Sequence, residues 1–210
     1  MVKSLFAAIL LFSLPALSPA GAQVTPFQPG SSVPGARDLA SHGKAFANNE
    51  GYFERWMLML HRKDGGWMQL GFVVTNIGPG SLNAVVDLIR RGPSLNGTGG
   101  KSVYRWPRKV ERSDWKASTQ RVDIDTSLGT LKATRHGYRA TVSIWGYELE
   151  VDVTARGPNW KPGNGVALFP DGGRFEVQLA PMSANFKARE RTHGGAWREF
   201  TGTAWLEHGA

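Results

Sequence analysis

The chain has 210 residues, a formal net charge of +8, 41% hydrophobic and 20% charged residues, and no cysteine. That length suits one large β domain, and the composition excludes a disordered chain and one embedded in a bilayer by long apolar helices. The missing thiols exclude disulfides, thiolate metal sites and cysteine nucleophiles. The richest basic stretches, Arg105–Lys116 and Lys187–Arg191, are interrupted by Glu111, Asp114 and Glu190 and accompany no nucleic-acid motif, so nucleic acid is not expected as a partner.

Residues 1–22 read as a cleavable secretory signal. Lys3 supplies the positive start, Leu5 to Leu14 the apolar run, and Pro15 and Pro19 precede a small-residue site at Ala20-Gly21-Ala22. The run is shorter than the about 20 apolar residues a span needs. The expected location is therefore periplasmic or secreted. Residues 23–45 carry Pro26, Pro29 and Pro34 among Gly and Ser and read as a flexible or extended lead-in. Residues 46–210 then form the expected domain.

From Tyr52 onward strands alternate with turns. Trp56 to Leu60 is apolar and of strand length, Asp64-Gly65-Gly66 is a turn signal, and Trp67 to Thr75 returns as the second arm of a hairpin. Leu82 to Ile89 reads as a further strand in preference to a short helix, and Ser94 to Gly100 as a glycine-rich loop. Arg121 to Asp125 alternates, as do Leu131 and Ala133 after a turn at Gly129. In Tyr147 to Thr154, Tyr147, Leu149, Val151 and Val153 face one way and Glu148, Glu150, Asp152 and Thr154 the other. Such period-two alternation gives one dry and one wet face. Ala140 to Trp145 pairs with it through Gly146. Gly157 to Gly165 reads as a loop around Trp160. Phe175, Val177 and Leu179 alternate again, and Asn185–His193 with Trp197–Trp205 closes the series around Gly194-Gly195. Turn signals at this spacing predict an all-β, antiparallel single barrel or sandwich.

Eight tryptophans are many for this length. Most fill the core, but a barrel that encloses a ligand needs a wide apolar wall, and Trp56, Trp67, Trp145, Tyr147 and Trp205 lie in predicted strands as candidates for it. Register decides which of them point inward. The histidines show no metal spacing, so no metal site and no cofactor are expected.

The Glu54-Arg55-Trp56 segment, the later Trp160-x-Pro162-Gly163-x-Gly165, and the stretch Phe200-Thr201-Gly202-Thr203-Ala204-Trp205-Leu206-Glu207-His208 together resemble the superfamily of carotenoid 1,2-hydratases, AttH proteins and survival-factor-like proteins. The resemblance covers roughly residues 46–210. It implies two tandem lipocalin-like (calycin) barrels, joined through the stretch matching Gly202, Ala204, Trp205, Glu207 and His208. It also implies apolar ligands such as carotenoids or lipids, and in some members hydration of an isolated alkene. The chain ends at Ala210. The expectation is therefore an N-terminal barrel alone, either as a single-barrel variant or completed by a second lipocalin-like domain or a homodimer.

Alkene hydration needs a proton donor held neutral by burial, a water, and aromatic faces to stabilise a carbocation. Glu207 beside Trp205 is the candidate acid and His208 the residue that positions water; Asp152 or Glu150 is the alternative acid. Three functions follow. The first is an exported lipocalin-like domain binding an isoprenoid, carotenoid or lipid, with peripheral membrane contact as an accompanying expectation. The second is a hydro-lyase of the carotenoid 1,2-hydratase type. The third is a non-enzymatic stress or interaction protein.

Overall fold

Alternating sequence becomes alternating burial along almost every long strand. The computed structural model describes residues 31–32, 37–43, 51–76, 83–95, 100–170, 173–179 and 183–210. The expected signal, 1–22, lies outside them. The strands are β1 (Ser31–Ser32), β2 (Phe53–Arg62), β3 (Trp67–Thr75), β4 (Asn83–Pro93), β5 (Lys101–Val110), β6 (Lys116–Ala117), β7 (Asp123–Thr126), β8 (Gly129–Thr134), β9 (Gly137–Ile144) and β10 (Tyr147–Ala155). They continue with β11 (Lys161–Pro162), β12 (Val166–Leu168), β13 (Arg174–Leu179), β14 (Ala184–Thr192) and β15 (Arg198–Gly209).

One antiparallel sheet runs in the order β5-β4-β3-β2-β15-β14-β10-β9-β8-β7-β6, with β13 adding to the far end of β15 and β12 to β13. Its two edges, β5 and β6, are consecutive in the chain and separated only by residues 111–115. That link spans at most about 20 Å. Ten inter-strand steps laid flat would span about 48 Å. The sheet must therefore curl until its edges approach, which gives a lipocalin-like all-β fold with an open seam. Ring contacts confirm the curl: Trp106 on β5 stacks on Tyr147 on β10 at 4.8 Å, although they lie six strands apart in the sheet order.

The concave face carries the core. Leu58, Leu60, Met68, Leu70, Phe72, Val86, Leu88, Leu131, Ala140, Val151 and Leu206 have no exposed surface, so no water-sized space opens beside them. The interior is filled with side chains along its middle rather than hollow, unlike the ligand-enclosing barrel expected from the aromatic content.

Three expectations shift in detail. The basic stretch Arg105–Lys116 begins in the second half of β5, an edge strand on which Lys101, Arg105, Pro107, Arg108 and Lys109 are exposed, residues that discourage edge-to-edge pairing, and it ends at the start of β6. On β13 the fully interior residue is Gln178, in the opposite phase to Phe175 and Val177. Residues 37–43, within the expected lead-in, pack against one end of the barrel, where Leu39 and Ala40 are buried and the Leu39 carbonyl accepts the Trp56 indole N–H at 2.9 Å.

Candidate functional site

Polar residues placed in the dry phase of a strand are the exceptions that need a reason. Among the described residues, four buried Arg or Glu side chains stand there: Glu54 in phase with Trp56 and Leu58, Arg62 in phase with Leu60, Arg90 in phase with Val86 and Leu88, and Glu190 in phase with Phe186 and Ala188. Strand order sorts them to opposite ends of the barrel, since Glu54 and Arg62 are eight residues apart on β2, or about 26 Å.

At one end, Glu190 lies between two arginines. Arg90 donates to it from Nε at 2.7 Å and from Nη2 at 2.7 Å, Arg62 donates from Nη1 at 3.2 Å, and the Tyr147 hydroxyl donates at 2.8 Å. Burial alone would raise the Glu190 carboxyl pKa. The donors, with Arg90 foremost, outweigh it and hold the group below the usual carboxylate range. Tyr147 is pushed well up, first by burial and then by the Glu190 charge. Arg62 also binds Asp64 in the β2–β3 turn and lies over the Phe200 ring at 3.9 Å. Arg90 is 0% exposed, and its Nη1 has no hydrogen-bond partner among the described residues. Arg198 approaches Glu190 at 3.8 Å. Three guanidinium groups thus face two carboxylates.

Above this cluster the seam exposes aromatic rings. Tyr104 sits directly across from Arg90 in the β4–β5 register and stacks on Trp106 at 5.3 Å with a 2° interplanar angle; Trp106 continues the stack onto Tyr147. Tyr104 and Trp106 are only half-buried, whereas Tyr147 is buried. Next along the shelf, Arg108 lies 4.5 Å over the Trp145 ring. Trp145 is 59% exposed and has φ +49° in the two-residue β9–β10 turn, followed by Gly146 at φ +75°. A turn of this kind favours Asn or Asp followed by Gly, and a bulky aromatic held left-handed costs about 1 kcal/mol or more.

No family model and no curated protein matches the sequence. A crystal structure of a protein from Nitrosomonas europaea, provisionally assigned as an AttH, superposes with a TM-score of 0.61 at 16% identity over 88% of this chain and 57% of that one. The fold is AttH-like. The chain spans little more than half the length of that structure, and at this identity the likeness extends to the fold alone.

Within this AttH-like barrel the sequence candidates fall in separate places. Tyr147 and Trp145 meet at the seam. Trp56 lies inside the opposite end. Trp67 and Trp205 share the outer face with His61, which pairs with Trp67 across β2–β3 and stacks on Trp205 at 5.0 Å. Glu207 and His208, adjacent in sequence, point to opposite faces of β15, as any strand neighbours must. Glu207 forms an outer-face ion pair with Arg55, while His208 is fully buried. Glu150 and Asp152 lie on the outer face with Arg139, and Arg189 also pairs with Glu150.

The acid that His208 meets is Glu54, at 3.1 Å from Nε2. Glu54 also accepts the Tyr52 hydroxyl at 2.7 Å, the Ser41 hydroxyl at 3.1 Å and the His42 amide at 2.9 Å. Burial favours its neutral form, but the hydrogen bonds from His208, Tyr52 and His42 together outweigh burial and keep it below the usual carboxylate range. Glu54 is therefore an ionised acceptor rather than a stored acid. Sequence reasoning missed Tyr104, Trp106, Arg90, Glu190 and the pairing of Glu54 with His208. A charged residue in the apolar phase of a strand was the available signal for three of them.

Proposed function

We propose that the chain is an exported lipocalin-like domain that binds an apolar ligand, an isoprenoid, carotenoid or other lipid, on the aromatic shelf at the barrel seam. The observation that carries this reading is the half-buried Tyr104–Trp106 pair stacked on the buried Tyr147, with the exposed Trp145 nearby under Arg108. Flat rings at an opening offer a large apolar area at little cost in side-chain entropy. The surplus guanidinium charge beside the stack, with the Arg198 side chain 41% exposed, favours a ligand whose apolar body ends in an anionic head. Because the middle of the core is filled, the ligand lies across the seam instead of threading the barrel. A second lipocalin-like domain, or a second copy of this chain, is proposed to cover the shelf's outer side, and a membrane is the proposed source of the ligand.

Titration with a fluorescent polyene fatty acid, read by quenching of tryptophan emission, tests this. Binding should saturate, and Trp106→Ala should weaken it about 10-fold or more, the loss of one buried aromatic contact. Trp205→Ala, on the outer face, should leave the affinity unchanged. Non-saturating quenching, or equal losses in both variants, would refute the shelf as the site.

A further inference from the structure

The opposite end of the barrel carries a second constellation that ligand binding at the seam does not use. His42, Glu54 and His208 each offer one ligand atom, and the three atoms lie within 4.8 Å of one another. His208 and Glu54 are both 0% exposed. The His208 ring is held from three sides. Trp56 stacks on it at 4.8 Å and 14°, its Nδ1 is 3.0 Å from the Asp38 carbonyl oxygen and 2.9 Å from Gln178 Oε1, and the His42 ring meets it edge-on at 5.6 Å.

These contacts fix the tautomer. A backbone carbonyl accepts only, so the Nδ1 that faces it carries the hydrogen and donates. Nε2, which hydrogen-bonds a carboxylate oxygen of Glu54 at 3.1 Å, is then the nitrogen left to bind an ion in place of its proton. That oxygen, Oε1, also accepts the His42 amide, while Oε2 accepts from the Ser41 and Tyr52 hydroxyls. A metal ion between these two atoms would take the place of the proton they share, in a site from which water is excluded.

The surroundings favour the metal. A histidine that donates its second nitrogen to a backbone carbonyl or amide oxygen is the usual arrangement for a metal-bound imidazole. Two ligands at about 2.1 Å from an ion and 3.1 Å apart subtend roughly 95°, within the range of tetrahedral and octahedral sites. His42 completes the set from the segment packed over the barrel end; its side chain is 25% exposed, which gives an ion a route in, and its Nε2 lies 3.7 Å from Glu176 Oε2, a further oxygen donor. Two imidazoles with one or two carboxylates suit a first-row divalent transition metal rather than calcium or magnesium.

We propose that His42, Glu54 and His208 form a binding site for one such ion, with Zn²⁺ as the physiological type. The ion would tie residues 37–43 to β2 and β15. The site is independent of the seam shelf, about 26 Å away along β2.

The test uses the full mature chain, stripped with chelator and titrated with Zn²⁺ by calorimetry and with Co²⁺ by visible absorption. One equivalent should bind, Co²⁺ should show the absorption of an imidazole–carboxylate site, and Co²⁺ should quench Trp56, which stacks on His208. His42→Ala removes the most exposed ligand and should weaken Zn²⁺ binding 10-fold or more with the far-ultraviolet circular dichroism unchanged. His61→Ala, a histidine on the outer face, should bind like the wild type. Absence of stoichiometric binding, or identical affinity in His42→Ala and the wild type, would overturn the proposal and leave the proton as the cation between His208 and Glu54.

Discussion

Replacing Glu190 with glutamine keeps the volume and removes the charge that balances the seam-end cluster. In the wild type this carboxylate takes both forks of Arg90, one bond from Arg62 and the Tyr147 hydroxyl. Arg90 is 0% exposed, so after the substitution its charge stays buried without a counterion. Arg62 keeps Asp64 as a partner. Removing one member of a buried ion pair costs about 3–5 kcal/mol, because the surviving charge cannot regain its hydration. For a domain of this size that lowers Tm by about 10 °C. The internal control is Glu150→Gln. Glu150 receives two bonds of 3.0 Å from Arg189, but that pair is exposed to solvent, and exposed pairs contribute less than about 1 kcal/mol. Urea unfolding of the three proteins, fitted with a common slope, measures the difference. Equal losses below about 1 kcal/mol in both variants would refute the view that the cluster is an energetically coupled, desolvated unit.

The same cluster has a pH signature: Glu190 is held below its unfolded value, so its contribution is complete above the unfolded pKa near 4.5 and fades as the pH falls through the lower folded value. The stability gap between wild type and Glu190→Gln should accordingly be constant near neutrality and shrink in acid; a gap that widens there would contradict the sign. Gly202→Ala should cost at least about 3 kcal/mol, since a Cβ would stand 1.8 Å from the His61 carbonyl oxygen. Gly194→Ala, with open space but φ +71°, should lose only about 1–2 kcal/mol of backbone energy, and similar denaturation midpoints for the two would argue against the close β2–β15 approach. Trp145→Asn should raise stability by about 1 kcal/mol by relieving the left-handed tryptophan while weakening the polyene ligand, a trade visible in parallel melts and titrations; stabilisation without loss of binding would remove Trp145 from the shelf.

Much of the architecture was legible in the linear pattern. The alternation of Tyr147 to Thr154 predicted its burial phase residue by residue, and Asp64-Gly65-Gly66 located the first hairpin, because side-chain direction in a strand follows from covalent geometry and needs no partner. β5 was hidden: at the open seam its inward residues are only half-covered, so its second half reads as part of the basic stretch Arg105–Lys116 instead of a dry-and-wet strand. Gln178 likewise occupies an interior position where Phe175 and Val177 suggested the opposite phase, since its partner is His208.

The sites divide the same way. The sequence by itself determined that Glu54, Arg62, Arg90 and Glu190 stand in the apolar phase of their strands, and that Glu207 and His208 face opposite directions. Only the tertiary structure decided that Arg90 meets Glu190 one hundred residues away, that His208 meets Glu54, and that Trp106 meets Tyr147 across the seam. Those meetings depend on strand order and on the curl that brings distant strands together. Both are set by the summed burial of the whole sheet, which no local stretch of sequence encodes.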